Sequence, residues 1–225
     1  MTHVAIVGGH GKVARQLIHV LRRADHDAVA LVRNEDYRAE LEERGAEVRL
    51  LDIERDDVDA FAAAFAGCAA VVFAAGGGPD GNKERKRTVD LGGSLKSIEA
   101  AKQVGIERFV QVSSIGVDDP LPDDTDDVWR AYVEAKRDAD AALRSSGLAW
   151  TIIRPGRLTD DAATGLVSLG PDVSRGEVTR ADVAAVLAAV LDAPGTIGKQ
   201  WNLVNGDVPV EEAVRAAYSS SASEE

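Results

Sequence analysis

A glycine-rich bend directly after the first apolar run restricts the fold of this chain more than any other feature. Residues 3–7 read His-Val-Ala-Ile-Val, residues 8–11 read Gly-Gly-His-Gly, and a helical pattern follows. In this strand–loop–helix context Gly8 permits a tight turn, and Gly9 and Gly11 let the backbone approach a pyrophosphate. Backbone amides and the positive end of the helix dipole would stabilise the phosphate charge. The alternative interpretation is a glycine turn that holds no ligand.

Apolar runs alternate with helical patterns along the rest of the chain. The predicted strands are 3–7, 28–32, 47–51, 70–75, 108–113, 150–154 and 201–204. The predicted helices are 12–24, 37–44, 58–66, 83–104, 126–146 and 181–193. Most strand runs are apolar throughout, which is typical of strands covered on both faces. We therefore predict an α/β fold, a doubly wound Rossmann-type parallel sheet of about seven strands with helices on both faces.

Length and composition indicate one globular domain. We expect residues 1–218 to form a single NAD(P)-binding domain with a small C-terminal substrate region, and residues 219–225 to form a flexible tail. No apolar run approaches the roughly 20 residues of a membrane span, and no secretory signal is evident. The single cysteine, Cys68, excludes an internal disulfide, and the four histidines have no metal-ligand spacing. We expect a cytoplasmic protein with no metal site.

The charge balance limits the possible partners. The chain has 38 acidic and 26 basic residues and a formal net charge of −12. Such a surface repels nucleic acid and anionic membranes, so we expect neither as a partner. We expect a small-molecule substrate. The oligomeric state, monomer or dimer, is left open. Because 23 aspartates occur with only 7 lysines, we predict adaptation to a salt-rich cytoplasm, with an ordinary acidic protein as the alternative.

The end of the second predicted strand favours NADP over NAD. An acidic residue commonly stands here to accept the ribose hydroxyls of NAD, but this chain has Arg33, which can meet a 2′-phosphate. Lys12 could add a second positive charge. Alternatively, Arg33 is a solvated strand end that pairs with Glu35 or Asp36.

A tyrosine and a lysine four residues apart form the candidate catalytic pair. Tyr132 and Lys136 would share one face of the predicted helix that follows Ser113-Ser114. A nearby ammonium lowers the pKa of a phenol, so that Tyr132 could exchange a proton with a carbonyl/alcohol pair. Ser114 could hydrogen-bond the substrate oxygen. Alternatively, Tyr132 only borders an apolar helix face.

These motifs resemble those of short-chain dehydrogenases/reductases, in the atypical branch of NmrA-like and epimerase-like NAD(P)-binding proteins. The resemblance spans about residues 1–205. Its motifs occur in the order GGHGKVA, Arg33, Asp52, Ala74-Ala75-Gly76, Ser113-Ser114, Tyr132/Lys136 and Arg154-Pro155-Gly156. Ala14 stands where the usual fingerprint has a third glycine, and the short C-terminal region argues against a large nucleotide-sugar pocket.

The resemblance implies a set of cofactor contacts. Gly8, His10, Gly11, Lys12 and Val13 would surround the pyrophosphate, and Arg33 would meet the 2′-phosphate. Asp52 and Ile53 would border adenine. Ala74, Ala75 and Gly76 would lie under the ribose and nicotinamide, with Ser113 in the same region. Lys136 would reach the nicotinamide ribose, and Pro155 and Gly156 would flank the carboxamide.

Two functions follow as hypotheses. The first is an NADP-dependent oxidoreductase or epimerase for a small carbonyl/alcohol substrate, and the second is a non-catalytic NADP(H) sensor. Transfer of reducing power to a flavin or quinone, which needs no tyrosine, is a third possibility. The basic segment 83–87 is interpreted as a solvated helix start, with a recess for an anionic substrate as the alternative. The acidic loop 118–127 is interpreted as solvated and mobile.

Overall fold

The computed structural model describes residues 2–78 and 81–220 and consists of alternating strands and helices. The strands are β1 His3–Val7, β2 Asp27–Val32, β3 Ala46–Leu50, β4 Ala70–Phe73, β5 Arg108–Val112, β6 Ala149–Pro155, β7 Arg157–Thr159, β8 Leu166–Gly170, β9 Glu177–Thr179, β10 Lys199–Asn205 and β11 Val208–Pro209. The α-helices are α1 Lys12–Arg23, α2 Arg38–Glu43, α3 Val58–Ala64, α4 Lys83–Arg85, α5 Gly93–Val104, α6 Asp127–Arg144, α7 Arg180–Leu191 and α8 Val210–Ser220. A π-helix, Lys86–Gly92, joins α4 to α5, and 3-10 turns lie at Glu35–Tyr37 and Pro194–Thr196.

The central sheet has nine strands in the order β11-β8-β10-β6-β5-β4-β1-β2-β3. The seven strands from β10 to β3 pair in parallel and are the seven that the sequence predicts. The strand order reverses beside β1, whose neighbours are β2 and β4. In doubly wound sheets such a switch point opens a crevice at the carboxyl ends of the strands.

Helices cover both faces of this sheet. Along β1 the side chains of Val4 and Ile6 join one apolar cluster, whereas those of Ala5 and Val7 join the other. The first cluster includes buried side chains of α1, α2, α7 and α8, and the second includes those of α3, α5 and α6. This alternation explains why the strands are apolar throughout.

The structure corrects the predicted number of strands. The sheet has nine strands rather than seven, because β8 and β11 add to its edge in antiparallel orientation. A separate parallel pair, β7 and β9, also escaped prediction. Strands β7, β9 and β11 have only two or three residues, too few for an apolar period. Strand β8 reads Leu-Val-Ser-Leu-Gly, and its serine and glycine interrupt the apolar run.

The helices differ from expectation at two places. The predicted helix 83–104 is interrupted by the π-helix Lys86–Gly92, and α8 was not predicted. Of the predicted tail 219–225, residues 219 and 220 belong to α8 and residues 221–225 lie outside the described part of the chain. No helix in the described residues is long and apolar enough to cross a membrane.

Candidate functional site

The bend between β1 and α1 lies so close to the sheet that a side chain does not fit at two positions. Gly8 has a φ of +84°, and a Cβ atom there would lie 2.8 Å from the Cα of Ala75. A Cβ atom at Gly9 would lie 2.7 Å from the Cβ of Ala30 on β2. Either side chain would push the bend off the sheet edge. Such a close approach of the backbone to the sheet edge is what a dinucleotide-binding bend needs.

The first turn of α1 leaves backbone donors for an anion. Gly11 is the N-cap residue, and no side chain in the described residues caps this helix, whereas aspartate or threonine side chains cap α3, α6 and α7. The amides of Lys12 and Val13 have no intrahelical carbonyl to bond. The amides of Gly9 and Gly11 donate to backbone carbonyls at 3.0 and 2.8 Å and so shape the bend. This arrangement fits a diphosphate bound at the amides of the first turn.

A groove extends from the bend along the carboxyl edge of the sheet. Nine predicted cofactor residues line it: Gly8, His10, Gly11, Arg33, Asp52, Ile53, Ala74, Ala75 and Gly76. It is also lined by seven residues that the sequence analysis missed: Leu31, Val32, Tyr37, Leu51, Glu54, Arg85 and Val89. Four of the missed residues lie at strand ends: Leu31 and Val32 end β2, and Leu51 and Glu54 follow β3. The predicted topology was therefore a signal that could have identified them.

One end of the groove combines a cation with a ring pair. The Arg33 side chain is 56% exposed, and its Nη1 lies 3.7 Å from Oε2 of Glu54, rather than pairing with the residues expected from the sequence. The rings of His10 and Tyr37 stack at 3.6 Å with an interplanar angle of 2°. His10 Nε2 lies 3.1 Å from Oε2 of Glu40. Arg33 is thus accessible to a phosphate at the mouth of the groove.

Two other predicted cofactor side chains are engaged within the fold. Lys12 Nζ donates to Oδ2 of Asp160 at 2.5 Å. Asp52 Oδ1 accepts from the amide of Glu54 at 3.0 Å. The Lys12 ammonium is therefore paired with a carboxylate, and the Asp52 carboxylate is bonded to a backbone amide.

The candidate catalytic pair lies on α6, with the lysine fully enclosed. Tyr132 is half-buried, whereas Lys136 is 5% exposed. Lys136 Nζ donates to the carbonyl oxygen of Val112 at 3.1 Å and lies 3.5 Å from that of Ala75, a residue of the groove. Lys136 therefore contacts both the last residue of β5 and a residue that lines the groove.

Asp90 is the carboxylate partner of this lysine and was missed by the sequence analysis. It is fully buried on the π-helix, with Oδ1 at 3.2 Å from Lys136 Nζ and Oδ2 accepting from the amide of Gly77 at 2.8 Å. Burial works against the ammonium, but the negative charge of Asp90 and the nearby Tyr132 and Asp140 outweigh it and raise the pKa of Lys136. Lys136 therefore stays charged next to the tyrosine.

A second buried carboxylate, Asp140, organises the ends of β5 and β6. It accepts from Ser113 Oγ at 2.7 Å, Gln111 Nε2 at 2.7 Å and Arg154 Nε at 2.9 Å. The predicted cofactor residue Ser113 thus donates its hydroxyl inside the fold. Arg154 also donates to Asp118 at 2.6 Å, and this bond lowers the pKa of that carboxyl. Rather than being fully solvated, the acidic loop is fastened here to the end of β6.

The remaining predicted residues lie at strand ends around this cluster. Ser114 directly follows Ser113 and is half-buried. Pro155 ends β6, and the amide of Gly156 donates to the carbonyl oxygen of Leu203 at 2.9 Å. A Cβ atom at Gly156 would lie 2.2 Å from the carbonyl oxygen of Gly176, so this turn also requires glycine.

The basic segment 83–87 is less solvated than expected. Lys83 is exposed and donates to Asp127 at 2.9 Å, but Lys86 is only 6% exposed. The Nζ of Lys86 lies 5.8 Å from the ring centre of Tyr132 and donates to the carbonyl oxygen of Gly78. The interpretation as a solvated helix start is therefore wrong for Lys86.

The chain is similar to known proteins over almost its whole length. A family model described as NAD(P)H-binding matches residues 8–194. YhfK of Bacillus subtilis (strain 168), named an uncharacterized sugar epimerase, is 38% identical over 213 residues, which cover 94% of this chain and 98% of that protein. A Bacillus halodurans structure provisionally named an NAD-dependent epimerase/dehydratase is 42% identical, has a TM-score of 0.89, and covers 96% of this chain and 100% of its own. The oxidoreductase ylbE of Lactococcus lactis is 27% identical, with a TM-score of 0.83 and 95% of each chain covered.

Proposed function

The chain belongs to the NAD(P)H-binding family, and we propose that it is an NADP-dependent oxidoreductase that interconverts a small carbonyl compound and its alcohol. The observation that carries this proposal is the position of Lys136. Its buried ammonium lies one helical turn from Tyr132 and within 3.5 Å of the carbonyl oxygen of Ala75, which lines the cofactor groove. A cation beside a phenol favours the phenolate and so suits the phenol to proton transfer.

The groove supports a preference for NADP. The amides of Lys12 and Val13 would hold the diphosphate, and Arg33 would bind the 2′-phosphate at the open end. Glu54, 3.7 Å away, would give up its contact with Arg33 to a doubly charged phosphate. Asp52 and Ile53 would border the adenine.

Residues of α6 would supply the proton that the carbonyl oxygen takes up. When bound, NADPH supplies the hydride, two electrons with one proton, to the carbonyl carbon. Tyr132 donates its phenolic proton to the carbonyl oxygen and takes a replacement proton from solvent, so that one carbonyl, the hydride and one proton yield one alcohol. Lys136 stabilises the phenolate that forms in between, and Ser114 orients the carbonyl oxygen. Ser113, Pro155 and Gly156 would border the nicotinamide end.

Two other functions remain as outcomes of the test. A sugar epimerase, the activity in the name of the Bacillus subtilis relative, would need a sugar pocket that the small C-terminal region leaves little room to form. A redox sensor would bind NADPH in the same groove without turnover.

The test follows NADPH absorbance against a panel of aldehydes and ketones. Wild-type protein should oxidise NADPH, and Tyr132→Phe should lower kcat by about 100-fold or more, the lower range of general acid catalysis. Tyr218→Phe, on α8, is the matched control and should keep full activity. Turnover that survives Tyr132→Phe would overturn the tyrosine mechanism, and firm NADPH binding without any turnover would favour the sensor.

A further inference from the structure

Lys86 is a buried cation that the proposed reaction does not use. It begins the π-helix that also carries Asp90, and its side chain is 6% exposed. Its Nζ donates to the carbonyl oxygen of Gly78, and within the described part of the chain no carboxylate lies within ion-pair distance of it. Lys136, which is equally buried, has Asp90 at 3.2 Å.

An ammonium that has no carboxylate partner among the described residues is costly in such a position. Burial of a charge disfavours folding unless an opposite charge or several hydrogen bonds compensate it. One carbonyl dipole satisfies only one of the three N–H groups of Lys86. The strongest compensation would be an anionic group of a bound molecule.

The position of Lys86 indicates which molecule. Its Nζ lies 5.8 Å from the ring centre of Tyr132, the proposed acid. The Tyr132 ring lies 5.2 Å from that of Trp129, with 31° between the planes. Trp129 is 47% exposed, although large aromatic side chains are usually covered. Because Trp129, Tyr132 and Lys136 share one face of α6, this ring pair lies at the outer end of the catalytic face.

We infer that the substrate of this site is a planar conjugated carbonyl compound with an acidic group, whose ring lies on Trp129 and Tyr132 and whose carboxylate is bound by Lys86. The inference rests on the proposed function, because it takes the reacting carbonyl to be at Tyr132. Aromatic stacking fixes the plane of the substrate, and the buried ammonium selects the charged end. Lys83, exposed and paired with Asp127, has no part in this subsite.

Binding tests the inference without turnover. Isothermal titration calorimetry on the full chain with saturating NADP⁺ compares 2-naphthoate with 2-naphthamide, which differ in charge but not in ring. Wild-type protein should bind the acid about tenfold more tightly or better. Lys86→Met should abolish that preference, and Lys86→Gln should do the same while retaining a donor for Gly78. Thermal melting should show both variants folded, because each removes a buried charge that has no carboxylate partner among the described residues.

Two further variants separate the contribution of the charge from that of the aromatic rings. Trp129→Ala should weaken acid and amide alike, by about two- to tenfold, and Lys83→Met should change neither. A wild-type protein without preference for the acid, or a preference that survives Lys86→Met, would overturn the inference.

Turnover separates this inference from the proposed function. NADPH oxidation is followed with 4-carboxybenzaldehyde and its methyl ester. Equal kcat/KM for the two would uphold the oxidoreductase and overturn the role of Lys86. If neither compound causes NADPH oxidation, but binding of the acid depends on Lys86, the oxidoreductase would be overturned and the anion subsite upheld.

Discussion

The two ends of the proposed site are built by different means. At the bend after β1, the proposed binding groups are backbone amides held close to the sheet by Gly8 and Gly9, and Arg33 is more than half exposed. At the other end the proposed catalytic groups are side chains, and Lys136 is enclosed with Asp90. One end would recognise charge with the main chain, and the other keeps a charge inside the protein.

This difference separates binding from stability. The bend can lose a bound anion and leave the core intact, because the amides of Lys12 and Val13 have no carbonyl partner within their helix. The Asp90–Lys136 pair cannot lose a partner without leaving an unpaired charge in the interior. Substitutions at the two ends should therefore affect different measurements.

The largest expected effect is on folding at the enclosed end. Asp90→Ala should lower the free energy of unfolding by about 3–5 kcal/mol, because it leaves Lys136 buried without its carboxylate. Chemical denaturation measures the loss. Glu177→Gln, which removes the partner of exposed Arg157, is the control and should cost at most about 1 kcal/mol. The double variant Asp90→Leu/Lys136→Met should recover most of the stability. If Asp90→Ala is as stable as Glu177→Gln, the two ends do not differ in the way described.

The next largest effect is on cofactor binding at the open end. Gly9→Val would press against Ala30 and lift the bend, with a strain of about 1–3 kcal/mol. The Kd for NADPH should rise by up to about 100-fold. Gly170→Ala is the matched control, because its added Cβ would meet only Val173 at an ordinary 3.8 Å. Unchanged NADPH affinity in fluorescence titration would remove the bend from the site.

The charge of Arg33 at the mouth of the groove should have a smaller effect on cofactor affinity than the bend. Arg33→Asp should lower the ratio of NADPH to NADH affinity by about tenfold, the lower end for a hydrogen bond to a charged group, because Arg33 is largely solvated. Arg55→Asp makes the same charge change at an 88% exposed side chain beside Asp52. Equal shifts in the two variants would mean that Arg33 acts only through general electrostatics.

The open end could be predicted from the sequence because its determinants are local. The bend, the strand and the first turn of α1 are consecutive, and Arg33 directly follows a predicted strand. The family match and the parallel sheet confirm the predicted fold class and cofactor class. The roles assigned to single residues, including Tyr132 and Ser114, stay predictions.

The enclosed end could not be predicted in the same way. Asp90 lies in a segment read as a regular helix, and the π-helix adds a residue per turn and changes which side chains face α6. Its partner Lys136 comes from a helix that follows the next strand. A charge in a helical pattern normally indicates a solvated face, so burial of Lys86, Asp90 and Lys136 contradicts the local signal. The edge strand β11 was missed because two residues have no period, and β8 was missed because serine and glycine interrupt its apolar run.

Salt should have the smallest effect and should distinguish exposed from buried charge. With a net charge of −12, screening reduces self-repulsion, and raising KCl from about 0.1 to 2 M should raise Tm by a few degrees, of the order that about 1 kcal/mol gives in a domain of this size. The loss caused by Asp90→Ala should stay the same at both salt concentrations, because a buried pair is screened far less than surface charges. If Tm does not rise, the acidic surface is no adaptation to salt. If KCl instead removes the loss of stability caused by Asp90→Ala, water reaches the Asp90–Lys136 pair. The enclosed end is then as open to solvent as the bend.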